Sequence, residues 1–245
     1  MRIFHDNKIF SAELTASSEN LNLPVENLQK FQTIAKFRTV VKSNQWVKIA
    51  GNITANSFWI LNHNLTSSAV VKVQGSNYSD FSYIEFEEQA VIDERIYIDF
   101  DEKTFNFWRV TIDDPTNSNN YLELGYIFIG CFEQLPAMKP DQQFTVNTTA
   151  DYQTGSANVS YSKKGVQFRT NKINLVNLTF DQKKSVKSMF DNVGNYQPVI
   201  MVVWENDLEK EEPCYCILDG KKLTFKTSNI YNRKFDVSFK FREVL

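Results

Sequence analysis

Asn62-His63-Asn64 breaks off an apolar run, Phe58-Trp59-Ile60-Leu61, and Asp113-Asp114-Pro115-Thr116-Asn117-Ser118-Asn119-Asn120 separates two later strand-like runs. Amides, carboxylates and an imidazole gathered on such connections can hydrogen-bond a polyol or a protein partner. With Asn77, which follows Gly75-Ser76, they make up the candidate ligand-binding residues: Asn62, His63, Asn64, Asn77, Asp113, Asp114 and Asn117. His63 admits two readings. As a loop-tip group it bonds a sugar or a partner; as a corner group it bonds backbone carbonyls and fixes the turn, which is the commoner use of such residues. The 113–120 loop offers oxygens to a hard cation but lacks a fixed ligand spacing, so a solvated loop without metal is expected.

Covalent chemistry is poorly provided for. There is no nucleophile elbow, no glycine-rich phosphate cradle and no histidine or cysteine at metal spacing, and the chain has two histidines. Glu87-Glu88, Asp113-Asp114 and Glu211-Glu212 are adjacent pairs, which point apart on a strand and are solvated on a loop, whereas acid catalysis needs carboxylates opposed across a cleft. No catalytic residue, no cofactor and no enzyme activity are expected. Cys131, Cys214 and Cys216 are odd in number, and the i, i+2 spacing of the last two suits neither a metal knuckle nor a redox pair, so reduced, packed thiols are expected. Trp46, Trp59 and Trp108 could stack on a sugar ring, yet each sits inside a strand pattern among large apolar residues, where core burial is the expectation.

The elements that must position these groups are strands. Trp46-Val47-Lys48-Ile49, Ala69 to Gln74, Arg95 to Phe100 and Phe107 to Ile112 alternate in part or throughout, Phe58 to Leu61 reads as buried on both faces, and Phe81 to Phe86 adds another strand-like run. In the 107–112 run Phe107, Arg109 and Thr111 oppose Trp108, Val110 and Ile112. Residues 3–10 suit an edge strand or an extended arm, Pro24 opens a helical turn carrying Val25 and Leu28, and Gly125 bends or bulges a long strand from Tyr121 to Gly130. About eight short strands at intervals of roughly 8 to 15 residues are the mark of a β-sandwich or jelly roll. Leu135 to Asp141 carries two prolines and no periodicity, which places a boundary between domains 1–135 and 136–245. The second half shows polar strands from Gln143 to Thr170 and a Lys163-Lys164-Gly165 turn. A helix follows, capped by Thr179 and Gln182 and stopped at Gly194, with Val186, Met189, Phe190 and Val193 on one stripe. Further strands, an exposed acidic turn over 205–212 and a final strand with Phe235, Val237, Phe239 and Phe241 inward complete it. The fold class is mainly β: a jelly-roll sandwich followed by a small α+β domain in which one helix covers an antiparallel sheet.

Composition narrows the partners. Twenty Phe, ten Tyr and four Trp stand against eight Gly in 245 residues, a composition for packed strands. A formal net charge of −2 removes the general attraction that nucleic acid or anionic lipid requires, and no apolar run is long enough to span a bilayer, so neither nucleic acid nor membrane insertion is expected. The first residues, MRIFHDNKIF, lack a secretory signal core, and a chain soluble in its producing cell is expected.

Phe37-Arg38-Thr39, Trp46 to Ile49, Phe58 to Leu65, Val71 to Ser76, Phe107 to Ile112 and the closing Leu124-Gly125-Tyr126-Ile127-Phe128-Ile129-Gly130, taken in order, resemble the discoidin, or coagulation-factor type C, jelly roll of galactose-binding-like domains over about residues 11–135. The LPVENLQ opening, the LNHNL corner and the C-terminal half, with Gly165 to Arg169 and the ending Phe239 to Val244, are similar to tail-tip and baseplate proteins of tailed bacteriophages and prophages. That resemblance implies a structural role in the virion tail, with other tail proteins as partners, a homo-oligomeric ring or hub, solubility in the host cytoplasm before assembly, and contact with host-surface carbohydrate. The chain departs from lectin-like discoidins in lacking their terminal disulfide pair, and no sugar-binding residue carries over. A free carbohydrate-binding module, with loops 62–68, 76–80 and 113–120 as its site, is the rival reading.

Overall fold

The computed structural model describes residues 1–93, 95–135, 143–149, 151–154, 160–163, 165–194, 196–202, 213–220, 222–229, 231 and 233–244. The proline-bearing boundary over 136–141, Lys164 of the expected turn and the acidic turn over 205–212 lie outside the described residues. The fold is mainly β, and the chain divides into two compact units, Asp6–Phe132 and Met1–His5 together with Glu133–Leu245. Strand β1 (Arg2–Phe4) therefore belongs with the C-terminal half.

The unit Asp6–Phe132 is the jelly-roll sandwich. Its strands are β2 (Glu13–Ala16), β3 (Phe37–Arg38), β4 (Gln45–His63), β5 (Val70–Ser76), β6 (Phe86–Gln89), β7 (Ile96–Asp113) and β8 (Glu123–Gly130), hydrogen-bonded in the order β3-β8-β4-β7-β5-β6 with β2 on β4. The long strands β4 and β7 serve both layers. The first half of β4 pairs with β2 and with the second half of β7, which in turn holds β5 and then β6. The second half of β4, Ser57 onward, pairs with β8 and the start of β7. Short strands read separately at 46–49 and 58–61, and at 95–100 and 107–112, are thus two continuous strands. The bend that sequence suggests is a turn is taken up by register shifts between Ala50 and Ile53 and between Ala55 and Ser57, which turn a strand without ending it.

Alternation decides which side chains enter the core. Val47 and Ile49 of β4, Val71 and Val73 of β5, and Trp108, Val110 and Ile112 of β7 meet Phe58, Ile60, Ile96, Ile98, Leu124, Ile127 and Ile129 of the other layer in one buried cluster. Trp108 is fully buried, ringed by Phe86, Phe100 and Phe105 at centroid distances of 5.3 to 5.8 Å, and its indole N–H donates to the carbonyl of Ile53 at 3.1 Å. Trp59 is also buried, against Tyr97. Trp46 is not; it stands half-buried on the outer face of the sheet, because its place in the alternation opposes Val47. Two more expectations are corrected. Residues Phe81 to Glu85 form a loop, and only Phe86 enters β6. Gly125 lies in regular pairing rather than at a bulge, and its lack of a side chain admits the Thr33 carbonyl, 2.2 Å from where a Cβ would stand.

The other unit adds β9 (Glu133–Gln134), β10 (Gln143–Thr148), β11 (Asp151–Thr154), β12 (Ser160–Lys163), β13 (Gln167–Leu178), α1 (Phe180–Val193), β14 (Val199–Val202), β15 (Cys214–Leu218), β16 (Phe225–Asn229) and β17 (Lys234–Glu243). Its sheet runs β10-β13-β17-β15-β14-β1-β9 with β16 on β17, and β11 pairs with β12 alone. Far from being an edge or an arm, β1 is an inner strand, with Ile3 opposite Met201 on one side and Glu133 on the other. The helix starts at the expected capping box, where Gln182 N–H donates to Thr179 Oγ1 and Thr179 N–H to Gln182 Oε1, and it stops at Gly194 with φ of 57°. Val186, Met189 and Val193 pack into a buried cluster with Ile173, Leu175, Val237 and Phe239. Cys214 and Cys216 are buried free thiols of this unit, and Cys131 is a half-buried free thiol of the sandwich.

Candidate functional site

The structure gathers six of the seven candidate residues at one end of the sandwich and uses nearly all of their polar atoms to build the corner itself. Asn62 takes a left-handed conformation (φ 55°), which an Asn tolerates, and its Nδ2 donates to the Thr33 carbonyl at 2.9 Å. His63 Nδ1 accepts the Leu65 N–H at 3.2 Å while Nε2 donates to the Asp93 carbonyl at 3.1 Å, an arrangement that requires the neutral ring. Burial holds His63 below its ordinary pKa with help from Lys36, against the opposing pull of the Asp93 carbonyl. Asn64 Oδ1 accepts the Glu123 N–H at 2.7 Å and its Nδ2 donates to the Tyr121 carbonyl at 3.2 Å.

Asp114 and Asn117 are buried between the two connections. Asp114 Oδ2 accepts the Thr66 N–H and Asn117 Nδ2, both at 2.9 Å, and Oδ1 accepts Thr66 Oγ1 at 2.6 Å. Asn117 Nδ2 also reaches the Asn64 carbonyl at 2.9 Å. Burial pushes the Asp114 carboxyl up, but the donors of Thr66, Asn117 and Thr116 together outweigh it and hold the group below the usual carboxylate range. A carboxylate met by N–H and O–H donors is a turn anchor, and its lone pairs are not left for a cation. Among the described residues no group of three or more His, Cys, Asp or Glu could hold a metal ion.

Asn77 is elsewhere. Val70 at one end of β5 pairs with Asp113, and Ser76 at the other pairs with Phe107, so Asn77 lies about 20 Å away along the strand. There it donates to Glu85 Oε2 at 2.8 Å and accepts the Asn106 N–H at 3.3 Å.

Asp113 leads to a different surface. Its Oδ1 accepts the Asn44 N–H at 3.1 Å, and both residues edge a groove of about 300 Å³ on the outer face of the sheet, lined also by Trp46, Val70, Lys72, Arg109 and Thr111. Strand register arranges this face in rows. Trp46, Thr111, Lys72 and Gln89 stand opposite one another in one row; Thr15, Lys48, Arg109, Gln74 and Glu87 form the next. Glu87 accepts Lys72 Nζ at 2.7 Å and Gln74 Nε2 at 2.5 Å, and these bonds hold its carboxyl below the ordinary range. Gln74 Oε1 accepts Arg109 Nε at 2.8 Å, and the guanidinium lies over the Phe81 ring at 4.1 Å. The loop of Asn77 to Glu85, with Phe81 at φ of 54° and its ring buried against the guanidinium, thus serves to support Arg109.

An indole beside amide, hydroxyl, carboxylate and cationic groups, all but the Asn44 amide mounted on strands, offers an apolar ring face with a polar rim. That combination fits a ring-shaped polyol better than the saturated corner does. Sequence reasoning weighed Trp46 as a stacking residue but assigned it to the core, and it passed over Lys72, Arg109 and Thr111, although the alternation in Trp46-Val47-Lys48-Ile49, from Val71 to Gln74 and in Phe107 to Ile112 already placed them on the solvent face.

No protein-family model matches the chain, and no curated protein sequence matches it. Solved structures do. The lectin domain of lectinolysin complexed with Lewis B antigen aligns at a TM-score of 0.42 and 12% identity, over 51% of this chain and 95% of that one. A Streptococcus pneumoniae fucose binding module aligns at 0.43 and 14%, over 51% and 95%. Chitosan-binding module 1 of a chitosanase/glucanase from Paenibacillus sp. IK-5 aligns at 0.41 and 18%, over 51% and 98%.

Proposed function

We propose that the chain is a non-catalytic saccharide-binding protein whose ligand lies on the outer face of the sandwich, in the groove of Trp46, Thr111, Lys72, Arg109, Asn44 and Asp113. The observation that carries this is the half-buried indole of Trp46, set among strand-borne polar groups while Trp59 and Trp108 are consumed by the core. Of the groove's lining residues Asp113 alone bears a carboxylate, so the groove has no acid pair for glycoside hydrolysis. Stacking one sugar ring on an indole removes apolar area of both from water, at roughly 25 cal/mol per Å². Binding to a panel of immobilised glycans tests the reading, with Trp46→Ala expected to abolish the signal while thermal stability stays near that of the parent. Retention of full binding by Trp46→Ala would move the site off this face.

A place in a phage tail tip or baseplate, with other tail proteins and a ring or hub of its own copies as partners, follows from the sequence resemblance, and host-surface carbohydrate is then the natural ligand of the groove. Sedimentation of the purified chain and its detection in virions test that setting. Among the described residues no helix is long and apolar enough to cross a membrane.

A further inference from the structure

Resting on the saccharide reading, we infer that the sugar bound here is acidic, its carboxylate or sulfate group held jointly by Lys48 and Arg109. The two residues are direct partners across β4 and β7 and share the outer face, half-buried. Like charges placed directly opposite on neighbouring strands are destabilising, and side chains so arranged gain from an anion between them.

Glu87 acts on Arg109 through its charge, but among the described residues neither it nor Asp113 bonds either cation of the pair directly. Glu87, in the same row, has one oxygen on Lys72 and the other on Gln74. Asp113, two rows away, accepts from the backbone of Asn44. Neither forms an ion pair with Lys48 or Arg109 among the described residues. Arg109 is fixed through Nε, by Gln74, and through its guanidinium plane, by Phe81, and among the described residues neither η nitrogen bonds an acceptor. A guanidinium oriented by its own scaffold presents two parallel N–H donors, the geometry that takes a carboxylate or sulfate bidentately. Burial pushes Arg109 below the ordinary guanidinium value, the charge of Glu87 acting the other way, as expected of a cation partly stripped of water before its ligand arrives.

Spacing agrees. Trp46 and Lys48 are two residues apart on one face, about 7 Å along the strand. A pyranose stacked on the indole therefore brings a ring substituent over the Lys48–Arg109 pair. A single-stranded nucleic acid could present a ring and an anion too, but the chain as a whole is acidic, which disfavours a polyanionic backbone.

The test is a panel of neutral, uronate and sulfated oligosaccharides, with a single-stranded oligonucleotide as a further arm, titrated against the full chain, Lys48→Gln and Arg109→Gln at low and high salt. The expected result is binding confined to acidic glycans, weakened at least tenfold by each variant and by added salt, with circular dichroism unchanged. Binding of neutral glycans that the variants do not alter would overturn the acidic assignment and leave the saccharide reading standing. Binding of no glycan, or of the oligonucleotide alone, would overturn both.

Discussion

Replacing Asp114 should unfasten the corner that joins the 62–68 and 113–120 connections. Its side chain is fully buried and accepts two N–H groups, from Thr66 and Asn117, plus the Thr66 hydroxyl. In Asp114→Ala the buried Asn117 donor loses an acceptor at about 1–3 kcal/mol, while water can partly replace the one lost by the half-buried Thr66, so a loss of about 2–4 kcal/mol is expected. Asp114→Asn keeps the shape and one oxygen, and the two hydroxyls can turn to accept from the new NH2 group. It forfeits mainly the charge assistance, about 1–2 kcal/mol. The sign of the pH dependence follows from the depressed carboxyl: its contribution is complete above the unfolded value of about 3.9 and disappears as pH falls through the lower folded value. The gap between parent and Asp114→Asn should therefore close below about pH 4. Urea unfolding followed by tryptophan fluorescence in a Trp204→Phe background reports the sandwich, since Trp46, Trp59 and Trp108 all lie in Asp6–Phe132. An Asp114→Ala unfolding free energy within about 1 kcal/mol of the parent would refute the corner's role as a structural anchor.

Cys131 is pushed up to about 11 by burial and by Glu102, so at pH 7.5 its thiolate fraction is on the order of one in a thousand or less. Its reaction with a thiol reagent should be slow and should quicken about tenfold per pH unit up to that value, while Cys214 and Cys216 react only on unfolding. His63 should titrate below 6.5 by NMR, and the stability its neutral ring provides should be complete above about pH 6.5 and be lost as pH falls through its folded value. A normal or raised His63 pKa would contradict the hydrogen bonds assigned to its two ring nitrogens.

Much of the fold was legible because alternation is a local property. Val47 and Ile49 faced in and Trp46 and Lys48 faced out as their order requires, and the helix cap at Thr179 and stop at Gly194 stood where their residue types put them. The continuity of β4 and β7 was hidden, since Asn52 to Asn56 and Asp101 to Asn106 have turn composition and only cross-strand pairing shows that the ladder persists through them with shifted register. The polar corner was visible as a cluster of residue types, but its chemistry depended on partners 48 to 59 residues away, Thr66 with Asp114 and Asn64 with Glu123, which no local pattern discloses. Asn77 was grouped with it although β5 carries it to the opposite end. Trp46 was assigned to the core by its large neighbours, when its parity in the strand was the better guide.

Trp46 is the proposed contact for ligand, and the corner residues are scaffold. The most direct measurement is a 15N–1H correlation spectrum of the four indole N–H groups and the backbone, recorded as a glycan identified from the panel is added. The Trp46 indole and the amides of Lys72, Arg109 and Thr111 should shift while Trp59, Trp108 and the 62–66 amides stay still; a stationary Trp46 beside moving amides at 62–66 and 114–117 would contradict that assignment.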